Sequence, residues 1–200
     1  MSPTVYQEST PSPRSTVRVH PDREATEEAA EFLAAGHVAH VGFEVDGQPY
    51  VIPMTYQFDP AAPGYLYLHG GHHSRLIEHL AGGAPVCVTV TMVDGLVYSR
   101  SALFHSVNYR SVVCFCRAAP PPALEQRRAL LDGMIARYFP GRVPGRDYEA
   151  ASDGHLEATA FVALAIEEWS AKVRRGGPKG PRDTDPIAWG SAGVISTSVL

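Results

Sequence analysis

The chain has 200 residues, 44% of them hydrophobic and 19% charged, a balance suited to one globular domain that needs no staples. A net charge of −4 and an isoelectric point near 6.1 lack the basic excess of a nucleic-acid binder. Three cysteines make no disulfide framework, and Cys114-x-Cys116 is too tightly spaced for a zinc knuckle. All three, Cys87 included, sit in apolar strand patterns and read as buried free thiols.

The first twenty residues lack the apolar stretch of a signal peptide, and no run reaches membrane-spanning length. The expectation is a cytoplasmic protein with no membrane partner. Residues 1–20 are rich in Ser, Thr and Pro and predict a mobile arm, free to lie across a partner subunit. Asp22 to Ala35 predicts a short helix with Ala25, Ala29, Phe32 and Leu33 on one face and Gly36 ending it. His37 to Val45 alternates as a strand, Asp46-Gly47 is a hairpin turn, and the return strand runs from Pro49 to Phe58. Tyr65 to His69 is a third strand, and Ser74 to Leu80 a helix broken by Gly82-Gly83. Val86 to Met92 alternates again, and Asp94-Gly95 predicts a turn. An antiparallel pair should follow over Leu96–His105 and Tyr109–Arg117. Ala123 to Tyr138 is the longest helix, with Leu124, Leu131, Ile135 and Tyr138 at helical spacing. Thr159 to Ile166 is apolar on both faces and predicts a central strand. Short antiparallel strands interrupted by three helices predict a mostly β, α+β fold: a closed or nearly closed barrel decorated by helices. Residues 21–175 would form it, with 176–200 an irregular Gly/Pro-rich tail.

The richest stretch is Tyr65-Leu-Tyr-Leu-His-Gly-Gly-His-His-Ser-Arg-Leu-Ile77. A strand runs into two glycines, then Ser74 and Arg75 open an apolar-periodic segment. The glycines let the backbone approach a ligand, Ser74 caps the helix, and the helix N-terminus with Arg75 suits a phosphate. His69, His72 and His73 crowd the same stretch. Neighbouring loop histidines point apart, and Glu78 is the sole carboxylate nearby, so no metal site is predicted. His69 continues the Tyr65/Tyr67 face. It reads equally well as a hydrogen-bonded barrel histidine or as a proton donor beside a ligand.

Four segments, in order, resemble the flavin-binding split-barrel family related to pyridoxamine 5′-phosphate oxidase, closest to its nitroimidazole-resistance branch. They are Tyr50-Val-Ile-Pro-Met-Thr-Tyr56, Leu66 to Arg75, Tyr98 to Val113 with Asn-Tyr-Arg-Ser-Val-Val at its end, and Ile166 to Arg174. The resemblance spans about residues 22–180. It implies an antiparallel split β-barrel of the FMN-binding type, dimeric, with FMN at the homodimer seam. By motif position Pro53, Met54, Thr55 and Tyr56 would line the flavin ring, and His72, Ser74 and Arg75 would cradle its phosphate. Tyr109, Arg110 and Ser111 would lie near the flavin or the seam. Trp169, Lys172 and Arg174 would come from the last strand, reaching the partner's site. The family often has a lysine after the phosphate-loop arginine; here Leu76 stands there, shifting the task to Arg75, the loop N–H groups and a distant cation such as Lys172 or Arg110.

Arg110 alone would read as a solvated strand edge, and its place in the matching run favours ligand or interface contact. Arg127, Arg128, Arg137, Arg142 and Arg146 read as a solvated face. The expected activity is oxidoreduction, with electrons passing from reduced FMN to a small molecule. His69 or Tyr109 would supply a proton, and Arg110 would orient an anionic or nitro group. No dinucleotide fingerprint occurs, so NAD(P)H would bind only transiently. Two alternatives stand beside this: haem or F420 in place of FMN, and a non-catalytic flavin-binding sensor.

Overall fold

A computed structural model describes residues 12–197, and its first regular feature departs from the helix expected over 22–35. Pro21–Arg23 and Thr26–Glu28 are single 3-10 turns, and only Ala29–Ala35 (α1) is α-helical. Competition for backbone donors is the reason. The Ala25 N–H donates to the Ala171 carbonyl at 3.0 Å, and Glu24 bridges to Lys172. Groups bonded to a strand cannot also close a helical turn. The apolar face holds: Ala25, Ala29, Phe32 and Leu33 are all buried.

Strands Ala39–Val45 (β1) and Gln48–Met54 (β2) meet at Asp46-Gly47, where both residues have positive φ, 52° and 79°. That is the geometry a two-residue hairpin demands. Gln57–Phe58 (β3), Tyr65–Gly70 (β4) and the helix Arg75–Ala81 (α2) follow. Two long strands, Pro85–Tyr98 (β5) and Ser106–Ala119 (β6), precede the helices Leu124–Tyr138 (α3) and Asp153–Glu157 (α4). Ala160–Arg174 (β7) and Gly193–Ser196 (β8) complete the sheet. Its order is β2-β1-β5-β6-β7-β4-β3, with β8 also paired to β5, and every pairing is antiparallel. The fold is thus mostly antiparallel β with a few helices, consistent with a split barrel. The sheet does not close. Its ends, β2 and β3, are consecutive in the chain, and Thr55-Tyr56 alone crosses the split.

The core fills the inside of this curved sheet with Val41, Leu66, Leu68, Val88, Val90, Val112, Cys114 and Leu164, among others. In β7, lying between β6 and β4, Ala160 to Leu164 are five successive buried residues, as a central strand requires.

Three expectations are corrected. Asp94-Gly95 does not turn the chain: β5 runs through it with a bulge between Val93 and Gly95, and the reversal lies at 99–105 around the 3-10 turn Ala102–Phe104. The glycine there serves a close approach, since a Cβ on Gly95 would stand 2.9 Å from the Ile195 carbonyl oxygen. The tail is not wholly irregular, because β8 pairs with β5 at Gly95–Tyr98. Within the expected N-terminal arm, residues 1–11 lie outside the described residues. The rest lies on this chain's own β7: the Ser12 and Ser15 hydroxyls donate to Glu168 at 2.6 and 2.8 Å, and Arg14 Nε reaches it at 2.6 Å. No helix among the described residues is long and apolar enough to cross a membrane.

Candidate functional site

The end of β2 and the loop between β4 and α2 meet at one rim. A Cβ placed on Gly70 would stand 3.8 Å from Met54 Cε and 3.7 Å from Ile77 Cγ1, so these segments approach closely there. Gly71 is exposed, and a Cβ added to it would meet nothing within 4 Å. Ser74 N–H closes a turn onto the Gly71 carbonyl at 3.0 Å, and the Ser74 hydroxyl accepts the Ile77 N–H at 3.3 Å, the N-cap read from the sequence. Arg75 is exposed, its guanidinium 4.4 Å from the centroid of the Tyr50 ring. That stacking holds a cation at the rim while leaving its N–H groups outward. Leu76, which follows Arg75, is 1% exposed and buried in the core, so a side chain at this position does not serve the rim.

The residues after β2 divide. Pro53 and Thr55 are exposed and Met54 half-buried, but Tyr56 is wholly interior. Its hydroxyl donates to the Leu33 carbonyl at 2.6 Å and lies 3.1 Å from that of Gly36, and burial pushes its pKa up to about 12. Tyr56 therefore anchors the crossing of the split, and its ring is not open to a ligand, contrary to the expectation that it lines one.

The three histidines go separate ways. His72 Nε2 lies 3.3 Å from the Glu157 carbonyl at the end of α4, and exposed His73 sits 3.9 Å from Glu78. His69 is half-buried, stacked on Phe161 with ring centroids 6.1 Å apart. Its Nδ1 is buried without a hydrogen-bond partner among the described residues. Burial holds its pKa below the ordinary histidine value, so the ring is neutral at pH 7. Of the two forms in which a histidine could supply a proton, the neutral ring is the one this burial favours.

The remaining candidates lie elsewhere. Tyr109 pairs with Arg174 at one end of β7, whereas Gly70 pairs with Ala160 at the other. Fourteen residues of strand (174 − 160) separate those positions, roughly 46 Å of strand path at about 3.3 Å per residue. Arg110 is held bidentately by Asp94, with Nη2 at 2.7 Å and Nε at 3.0 Å. The Ser111 hydroxyl donates to the Lys172 carbonyl at 3.3 Å, and Lys172 Nζ donates to the Val19 carbonyl at 2.6 Å. Trp169 packs on the core midway along β7. Arg174 is 8% exposed, bonded to the Asn108 side chain and the Gly176 and Gly177 carbonyls. It edges a cleft of about 540 Å³ with His20, Arg23, His105, Arg175 and Lys179, a mostly basic lining that also holds Asp22. One protomer thus carries two separate halves: a glycine-rich rim and a basic end. The sequence announced the basic end only through the run Lys172, Arg174 and Arg175; nothing local linked it to His20 or Arg23.

The sheet face between these halves is half apolar. One row, Pro53–His40–Thr89–Val113–Ser170, crosses five strands in register on the side away from the core. The next, Val51–Gly42–Cys87–Phe115–Glu168, carries Phe115 beneath the Arg14 guanidinium at 5.0 Å.

Comparison with known proteins agrees with this architecture. The family profile "Pyridoxamine 5′-phosphate oxidase" matches residues 25–173. The FAD and heme binding protein from Mycobacterium smegmatis is 33% identical, over 87% of this chain and 83% of its own, with a TM-score of 0.74. The flavocytochrome Anf3 from Azotobacter vinelandii is 31% identical over 95% of this chain and 86% of its own, with a TM-score of 0.77. A protein assigned to 5-nitroimidazole antibiotic resistance in Bacteroides thetaiotaomicron shares the fold, at 23% identity over 74% of this chain and 84% of its own, with a TM-score of 0.61. Comparison with curated proteins gives no significant match. A profile covering residues 25–173, matched on an open antiparallel sheet, leaves one assignment: the chain belongs to the pyridoxamine 5′-phosphate oxidase family.

Proposed function

We propose that the protein binds a flavin nucleotide at the rim between β2 and the β4–α2 loop, and that it is an oxidoreductase working as a homodimer. The observation that carries this reading is the close approach of Met54 to the Gly70 position, which puts the two motif segments side by side at the split. The residues present fit such a group. Arg75, the Ser74-capped start of α2 and the open Gly71 backbone offer phosphate donors, and the half-apolar sheet face offers a platform for a flat ring. When bound, the flavin supplies the two-electron chemistry. The chain's part is to hold the phosphate at Arg75, cover one side of the ring with Pro53 and Met54, and shield it from water.

FMN and FAD share the phosphate this loop suits. The M. smegmatis neighbour binds FAD and the A. vinelandii neighbour is a flavocytochrome, which supports flavin binding here and keeps both nucleotides in view. A homodimer would bring the basic end of one protomer against the rim of the other, joining two halves that lie far apart within a single chain. Absorbance bands of oxidised flavin in the purified protein, chromatography of the released cofactor and light scattering test this directly. A protein that takes up neither FMN nor FAD, or that binds flavin as a stable monomer, overturns it.

A second reading adds haem, and His69 favours it. A neutral, half-buried imidazole is the donor type that haem iron takes, and with Nδ1 buried in the protein Nε2 would be the ligating nitrogen. A Soret band that disappears in His69→Ala while flavin is retained supports this; a Soret band unchanged by the substitution removes His69 from it.

A further inference from the structure

Away from the rim, the outer faces of β4, β7 and β6, with α3 and two loops, border a half-open cleft of about 940 Å³. Its origin is a row of small residues. Tyr67, Ala163 and Ala119 are direct neighbours across the three strands, and two methyl groups cannot fill the space beside a phenol ring. α3 adds Gln126, Ala129 and Leu130, and prolines 120–122 stiffen one wall. Tyr65 and Tyr67 stack along another, ring centroids 6.0 Å apart.

The lining excludes several ligands. It contains no Lys, Arg or His, and its one charged group is Asp59. Phosphates, carboxylates and flavin nucleotides would lack a cation partner, and haem would lack both an axial nitrogen and partners for its propionates. What the cavity does offer is phenol protons. The Tyr67 hydroxyl accepts from Gln126 Nε2 at 3.4 Å, and no acceptor for its own proton occurs among the described residues. The Tyr65 hydroxyl has no hydrogen-bond partner there either. Burial, with Tyr65 and Asp59 nearby, holds the Tyr67 pKa above the ordinary phenol value, so the proton stays in place at neutral pH.

We propose that this cavity is a binding site for an uncharged, flat aromatic compound bearing carbonyl oxygens, of the quinone class, held between the stacked tyrosines and α3 and hydrogen-bonded by the Tyr67 and Tyr65 hydroxyls. The volume is within the range of small-molecule sites. Flat aromatic walls suit an aromatic guest, and only an acceptor atom complements the two free phenol protons. The site stands independently of the flavin reading, because none of its lining residues belongs to the rim.

The test is calorimetric binding of 2,3-dimethyl-1,4-naphthoquinone, which is fully substituted and so does not alkylate thiols, to the full chain as purified. The expected result is micromolar binding, weakened about 3- to 10-fold by Tyr67→Phe, which keeps the ring and removes the donor. Ala129→Phe, placed on the exposed side of α3 where folding tolerates it, fills the cavity and should abolish binding. Anthraquinone-2-sulfonate and phenyltrimethylammonium should bind at least tenfold more weakly. Added FMN should not displace the quinone. No binding up to the solubility limit, unchanged affinity in both variants, preference for the cation or the sulfonate, or competition by FMN would each overturn the proposal.

Discussion

Arg137 lies over the ring of Tyr56, its guanidinium carbon 4.5 Å from the centroid, and both side chains reach the same two carbonyls, those of Leu33 and Gly36. Those oxygens end α1, where helical carbonyls lose their intrahelical partners. Arg137 also donates to the Tyr56 carbonyl, and the Tyr138 hydroxyl donates to that carbonyl and accepts the Tyr56 N–H. One arginine of α3 therefore ties together the end of α1, the crossing of the split and the helix that borders the second cleft. It does not belong to a solvated face. Replacing it by leucine should lower stability by about 2–3 kcal/mol, since buried carbonyls lose charge-assisted partners. Tyr56→Phe should cost about 1–2 kcal/mol, and the double variant less than the sum, because both serve the same oxygens. Urea melts of the three variants decide; strictly additive losses would show that the two residues act separately.

The same tyrosine makes the protein sensitive to alkali. Burial raises its pKa from 10 to about 12, so the folded state keeps a proton that the unfolded chain releases. Stability from this source is complete below pH 10 and is lost as pH rises towards 12, in all roughly 2–3 kcal/mol. Absorbance at 295 nm should show the last phenol titrating together with unfolding, and Tyr56→Phe should lose that final phase. A full complement of tyrosines ionising near pH 10 in folded protein would contradict this.

At the rim, Arg75→Ala should weaken FMN binding by about 10- to 100-fold, the loss of a hydrogen-bonded charge partner. Riboflavin, which lacks the phosphate, should bind almost as before. Fluorescence titration of both ligands separates the cases. Equal weakening would place Arg75 against the ring rather than the phosphate.

The tail depends on a glycine. An alanine methyl at Gly95 would stand 2.9 Å from the Ile195 carbonyl oxygen and 3.1 Å from Val194 Cγ1, so Gly95→Ala should push β8 off β5 at a cost of about 1–3 kcal/mol. The Thr197 hydroxyl, which donates to the Val93 carbonyl at 2.5 Å, would go with it. Limited proteolysis should then cut faster within 180–197 while the rest of the barrel resists. Unchanged cleavage would mean that the backbone adjusts around the methyl.

Local chemistry was enough for much of this protein. Asp46-Gly47 had to be a tight hairpin because both residues accept positive φ, and Ser74 had to cap α2 because its hydroxyl sits three residues before an unpaired N–H. The unbroken apolar run into β7 could only be a central strand, and the four motif runs carried the family. Asp94-Gly95 was misread for an equally physical reason. The same dipeptide suits a turn or a bulge, and the choice fell to β8, a partner about a hundred residues away that needs a position without a side chain. Tyr56 was misassigned likewise, since a phenol serves a ligand or a helix end with the same atoms, and Arg137 was read as solvated because nothing local marks the distant carbonyls it meets. What the sequence could not contain is distance. The motif runs named His69, Arg75, Arg110 and Arg174 without saying how far apart they lie; tertiary structure places the β4 rim and the Arg110/Arg174 end at opposite ends of β7, because an extended strand separates in space what a motif lists in order.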